Sequence, residues 1–180
     1  MIRLVRAMAL FMMVTFGLAG CAGQRLSDYA AERPVLDLER YFAGKTLAWG
    51  MFQDRSGTVI KRFTVSIEGR IENGRLILDE DFTYSDGTKE QRIWTLEKTA
   101  DGQWRGRAGD VVGEAKGSLS GNAFQWQYTL ALPVGDSVYN VQFDDWMYLI
   151  DDTTLINRAR MSKWGIELGQ VTLFFRKQVP

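Results

Sequence analysis

The chain has 180 residues, with 22 Lys and Arg balanced by 22 Asp and Glu, no histidine and a single cysteine. Without histidine, Ser-His-Asp and Cys-His nucleophilic sites and His-liganded zinc cannot be built, and the usual general base near neutral pH is missing. One Cys excludes an intramolecular disulfide, and a balanced charge with no basic stripe argues against a nucleic-acid partner.

The first twenty residues read as a signal peptide: a basic head with Arg3 and Arg6, an uncharged apolar stretch from Ala7 to Leu18, then small residues. That stretch is shorter than the roughly 20 residues that a helix needs to cross a bilayer. Leu18-Ala19-Gly20-Cys21 looks like a lipobox, which places the Cys21 thiol where it can take a diacylglyceryl group and become the first residue of the mature protein; the alternative is a free thiol after ordinary cleavage. Two or more acyl chains hold a protein firmly on a membrane. Ala22 stands where an inner-membrane retention signal would place Asp, so the expected location is the cell envelope, on the outer membrane facing the periplasm. Removing 1–20 takes away Arg3 and Arg6 and leaves 20 basic against 22 acidic residues, a net charge of −2.

The mature chain is expected to divide into an acylated Cys and polar tether over 21–33 and one domain over 34–180. After Pro34, the residues Val35, Leu38, Tyr41 and Phe42 follow a spacing of three and four, which predicts one short helix. From Lys45 the period changes to two. Phe63, Val65 and Ile67 alternate with polar residues, as do Phe124, Trp126, Tyr128, Leu130 and Leu132. The same alternation recurs at Leu76–Tyr84, Arg92–Leu96, Tyr139–Phe143 and Val171–Phe175. Turn signals separate these runs, among them Glu72-Asn73-Gly74, Ser85-Asp86-Gly87 and Gly135-Asp136. Nine or ten strands joined by short turns predict an all-β, antiparallel up-and-down barrel, with a β-sandwich as the alternative. Gly106, Gly109, Gly113 and Gly117 read as glycines inside strands, where a sheet bends to close.

Candidate site residues are polar groups that interrupt apolar strands. In FDDWMY, Asp144 and Asp145 are neighbours on a strand and point to opposite faces, so they cannot act as one two-carboxylate site unless the strand bulges. Asp151-Asp152-Thr153 reads as a hairpin turn, and no calcium-loop spacing is present, so neither metal nor cofactor is called for. In NRARMSKW, read as strand from Asn157 to Trp164, Asn157 shares the inward face with Leu155, Ala159 and Met161, while Arg158 and Arg160 point out and Lys163 follows. Arg62, Arg92, Tyr128, Asp144, Asp145, Trp146 and Asn157 are the candidate ligand-binding residues, beside Cys21 for lipidation. The six Trp residues either pack the core or line an apolar pocket.

The segments FAGKTLAWGMFQDRSG, SDGTKEQRIW, GRAGDVVGEAKG, GNAFQWQY, FDDWMYLIDD and NRARMSKWGI resemble an uncharacterised group of proteobacterial lipoproteins, domain of unknown function 3833. The resemblance implies a lipid-anchored envelope protein with no established activity, no catalytic residues to carry over, and a loose association with fatty-acid-modifying enzymes. The expected barrel is lipocalin-like or calycin-like in architecture, although Trp49-Gly50 reverses the order of the lipocalin Gly-x-Trp signature.

Three functions fit this sequence. The first is a binding module whose barrel cavity takes a fatty acid or another hydrophobic ligand. The second is a non-catalytic accessory of an envelope complex, with a filled interior and an exposed apolar patch. The third is a lipid-modifying enzyme, which needs a carboxylate such as Asp144, Asp145 or Glu80 inside the pocket with an Arg or Tyr nearby.

Overall fold

In a computed structural model, residues 23–179 are described; the signal stretch, the cleavage site and Cys21 lie outside the described residues. Ten strands follow in order: β1 Gly44–Asp54, β2 Val59–Glu72, β3 Arg75–Tyr84, β4 Lys89–Lys98, β5 Trp104–Arg107, β6 Ala115–Ser120, β7 Ala123–Val134, β8 Ser137–Leu149, β9 Thr154–Lys163 and β10 Ile166–Lys177. Each pairs antiparallel with its neighbour in sequence, and β1 also pairs with β10 from Thr46↔Lys177 to Asp54↔Gly169, so the sheet closes on itself. The up-and-down barrel is therefore correct and the sandwich alternative falls, because no strand switches sheets.

The alternation read from the sequence sets the inward face. Val65 and Ile67 on β2, Trp94 and Leu96 on β4, and Val141 and Phe143 on β8 are buried, while their outward neighbours are more exposed. Tight turns supply the reversals: Asn73 and Gly74 have φ of 51° and 73°, as the Asn-Gly pair predicts. A second such turn carries no Asn or Asp. Trp164 (φ 51°) and Gly165 (φ 78°) connect β9 to β10, so the strand expected to run to Trp164 ends at Lys163, and the Trp164 ring is 86 % exposed.

The short helix α1, Leu38–Phe42, closes the end of the barrel where β2 finishes and β3 begins. Asp37 caps it by accepting from the Arg40 N–H at 3.0 Å, and the Lys177 ammonium donates to the carbonyls of Tyr41 at 2.7 Å and Ala43 at 2.5 Å. Because the cap stands at Asp37, Val35 falls outside the helix and is exposed, and Leu36 takes the core position expected of it. Leu36, Leu38 and Phe42 pack with Ile67, Leu76, Leu155 and Phe175 as an apolar floor.

Ahead of the helix, a 3-10 turn, Leu26–Tyr29, lies on the outer wall, where the Tyr29 ring sits 6.0 Å from Trp146 and 5.3 Å from Tyr148. The glycines expected at bends divide otherwise. Gly109 and Gly113 lie in the loop between β5 and β6. Gly106 and Gly117 are in strands, but the Trp126 ring covers both: a Cβ on Gly106 would stand 2.6 Å from it. Their requirement is close approach of a ring, not curvature.

Gly69 on β2 shows how tightly the floor is seated, since a Cβ there would overlap the Phe42 carbonyl oxygen, a backbone atom that cannot rotate away. Gly69→Ala is expected to lower unfolding free energy by about 1–3 kcal/mol, the usual range for overpacking, measured as a fall in urea midpoint at unchanged slope.

Candidate functional site

Above the floor the barrel is hollow. A cavity of about 970 Å3 runs from α1 to the opposite end and is lined mainly by apolar and aromatic side chains. That places it at the upper end of the roughly 300–1,000 Å3 found for small-molecule pockets. Two apolar clusters wall it: the floor cluster with Trp94, Phe124 and Trp126, and an upper one of Leu130, Val141, Phe143, Ala159 and Met161. Exposed Val59, Ile60, Val134, Val138, Trp164 and Ile166 sit near the strand ends and turns that surround the end away from α1. The six Trp residues thus divide, with Trp94 and Trp126 in the cavity wall, Trp104 in the core, Trp146 on the outer wall, and Trp49 and Trp164 exposed.

A polar group lies in the middle of this apolar space. Glu80 on β3 stands directly across from Arg92 on β4. The Arg92 guanidinium binds Asp110 of the β5–β6 loop, Nη2 to Oδ2 at 2.7 Å and Nε to Oδ2 at 2.9 Å. Tyr128 on β7 lies edge-on to Trp94 and stacked on Phe143, and its hydroxyl donates to Asp145 Oδ2 on β8 at 3.4 Å. Asn157 on β9 also faces the cavity and is 1 % exposed. Asp145 Oδ1 and Asn157 Nδ2 are buried with no hydrogen-bond partner, a state that costs about 1–3 kcal/mol for each group.

Burial dominates the electrostatics here. It pushes the Asp145 carboxyl up to about 8, against the lowering effect of the Tyr128 hydroxyl, and Glu80 up to about 7 despite Arg92 opposite. Tyr128 is driven well above its ordinary value by burial and then by Asp145. Burial works against the Arg92 charge, yet Glu80, Tyr128 and Asp110 together raise it further, so it stays cationic.

Of the seven residues proposed from sequence, the barrel brings Arg92, Tyr128, Asp145 and Asn157 into the cavity and leaves three outside. Arg62 points outward because Phe63, Val65 and Ile67 take the inward face of β2. Asp144 and Trp146 are on the outer wall by the same alternation, and they serve each other: Asp144 accepts from Gln125 at 2.6 Å, Gln127 at 3.0 Å and the Trp146 indole at 3.2 Å. Trp146 owes its burial to Tyr29, not to a ligand space. Sequence reasoning missed Asp110, which sits in an aperiodic loop with no pattern to orient it, and Lys61, whose place two residues before Phe63 marks it as inward. Asp151 is a turn residue as read, accepting from the Thr153 and Thr154 N–H groups at 2.8 Å.

Because the folded Asp145 carboxyl holds its proton to about pH 8 while an unfolded one releases it near 3.8, the associated stability is present in acid and is lost as pH rises through 8. Asp145→Asn removes that loss. The variant is expected to exceed the parent at alkaline pH by an amount on the order of 2–3 kcal/mol and to match it more closely in mild acid, read from urea midpoints across the range. Glu80 leaves a residual dependence below about 7.

Similar barrels exist among solved structures at low identity. The S-type phycobiliprotein lyase CPES from Guillardia theta aligns at 5% identity with a TM-score of 0.57, covering 81% of this chain and 95% of that one. A protein of unknown function of the DUF3598 family from Nostoc punctiforme aligns at 14% identity with a TM-score of 0.51, covering 88% of this chain and 53% of that one. At such identities the likeness is one of fold. Among curated proteins none matches the sequence. The family described as "Protein of unknown function (DUF3833)" matches residues 15–177, and since that span takes in the whole barrel, this chain belongs to it.

Proposed function

We propose that this protein is a binding module that holds one hydrophobic ligand, a fatty acid or related lipid, inside the barrel, and that it does so while anchored to the cell envelope. The observation that carries the reading is the cavity itself: about 970 Å3 of apolar-lined space inside a closed barrel, with Asp145 and Asn157 facing it without partners. Mostly apolar walls with a few polar groups to orient a ligand are the usual make-up of such pockets. Apolar side chains around the open end support entry of a hydrophobic molecule there. The accessory reading required a filled interior, and the cavity removes that support.

The enzyme reading keeps one specific observation in its favour, the buried Asp145 with Tyr128 at 3.4 Å and a carboxyl poised near neutral pH. It stands second, because a proton-transfer role also requires a substrate atom between donor and acceptor, and a partnerless Asn157 is explained as well by simple binding.

Anchoring through an acylated Cys21, with the domain on the periplasmic face of the outer membrane, rests on the signal and the lipobox-like Leu18-Ala19-Gly20-Cys21. Cys21→Ser is expected to shift the protein from the membrane to the soluble fraction after cell lysis; retention in the membrane would refute lipid anchoring at this residue.

Native mass spectrometry of the full chain, purified gently and then extracted with organic solvent, is expected to show one bound lipid per protein. Ala159→Phe, which places a ring in the cavity from β9, is expected to weaken binding of the dye Nile red by about tenfold or more while the melting temperature holds or rises. An empty protein that binds no dye would overturn the carrier reading.

A further inference from the structure

If the barrel holds a hydrophobic ligand, as proposed above, its charged groups restrict what the polar end of that ligand can be. Two cations line the cavity, and each already has an acidic partner. Lys61 Nζ lies 3.1 Å from Asp86 Oδ2 and 4.2 Å above the Tyr84 ring. Arg92 is held by Asp110 at 2.7 Å and faces Glu80 across the strand pair. A ligand carboxylate would therefore lose its water among Glu80, Asp110 and Asp145 with no unpaired guanidinium or ammonium to receive it. A ligand cation would find Asp110 already ion-paired with Arg92 and Glu80 across the strand pair from that same guanidinium, and among the described residues no three metal-ligating side chains converge.

Two fully buried polar atoms facing the cavity remain unpartnered. Asn157 Nδ2 needs an acceptor, and Asp145 Oδ1 needs a donor when ionised or an acceptor when protonated. The two side chains are diagonal neighbours on the same face, because Asp145 pairs with Ala159 and Asn157 pairs with Met147. Diagonal positions on one face stand roughly 7–8 Å apart at the backbone.

We propose that the ligand ends in a hydroxyl group, and that Asn157 and Asp145 hold it between them at mid-cavity. The Asn157 amide donates to the hydroxyl oxygen. That hydroxyl donates to Asp145 Oδ1 when the carboxyl is ionised, and accepts from it when the carboxyl carries its proton. A hydroxyl is the group that satisfies both neighbours in either state, whereas a carbonyl leaves the ionised carboxylate unpaired and a fatty-acid carboxylate adds a charge. The hydrocarbon then lies along the apolar wall formed by Trp94, Trp126 and Phe143. The ligand class is a long-chain alcohol or a lipid with a free hydroxyl, not a free fatty acid.

The test is displacement of Nile red from the full chain at neutral pH by decanol, decanoate and decylamine, which share one chain length and differ in head group. Decanol is expected to displace the dye at a concentration at least about tenfold below that of either charged competitor, the scale on which a site built to hydrogen-bond a hydroxyl discriminates. In Asn157→Leu, the advantage of decanol over decanoate, read against that variant's own dye affinity, is expected to shrink to less than about threefold. Asn157→Ala serves as a second variant with a smaller side chain. Decanoate or decylamine displacing the dye as well as decanol, or an advantage that survives both substitutions, would overturn the hydroxyl assignment and leave the carrier reading standing. A parent protein that binds no dye and no competitor would overturn both.

Discussion

The hydrogen-bonded ladder between β1 and β10 is the constraint on which the rest depends. It joins the first strand to the last, so that no edge is left between them and every inward side chain must share one interior. With about eight strands an interior is just wide enough for side chains to fill, and diameter grows with strand number. At ten strands the inward residues can no longer meet across the middle everywhere. Near α1 the helix supplies the missing volume with Leu38 and Phe42, and beyond it the space stays open. The cavity is thus a consequence of strand number and a one-sided plug, not of any single residue.

Placing ionisable groups in that interior has an electrostatic consequence. Burial takes these groups out of bulk solvent, so the charged form of a carboxyl is disfavoured and Asp145 and Glu80 bind protons more tightly than they would in the unfolded chain. Arg92 keeps its charge because acidic neighbours surround it. A partner removed from such a group would leave the remaining charge or dipole stranded, which is why the polar centre is a costly feature in a wall that could have been all aliphatic. Leu in place of Asn157 would pack without leaving a buried amide unpaired, so the amide is accounted for when a ligand completes it.

Much of this was legible in the sequence, because period-two alternation and turn chemistry are local. Arg92, Tyr128 and Asn157 sit in step with apolar neighbours, so their inward direction follows from the pattern. The same rule, applied to FDDWMY, separates Asp144 from Asp145 but does not say which of them faces inward; with Asp145 inward, Asp144 and Trp146 fall outside. Trp146 also shows what alternation cannot see: it is buried from the outside by Tyr29, a contact between segments far apart in the chain. The Trp164-Gly165 turn is not legible in the sequence, since Trp rarely takes a positive φ. Asp110 had no periodicity to orient it, and its role emerges only when the loop folds back on β4.

That loop explains why the polar centre lies where it does. β5 pairs with β4 only over Thr95–Lys98, so the stretch of β4 from Lys89 to Trp94 has no strand partner on that side. The β5–β6 loop covers the gap by pairing with β7 instead, through Ala131 N–H to the Asp110 carbonyl and Val112 N–H to the Thr129 carbonyl, both at 2.8 Å. Between β4 and this loop, the Arg92–Asp110 pair takes the place of a backbone ladder. Gln91, Ile93 and Gly109 line the cavity at the same place, where side chains and not a backbone ladder hold β4 to the loop. One ion pair therefore both completes the barrel and neutralises the guanidinium that would otherwise attract an anionic ligand. A carboxylate seeking Arg92 would compete with Asp110 for the guanidinium, and drawing Asp110 away would loosen the wall that makes the cavity.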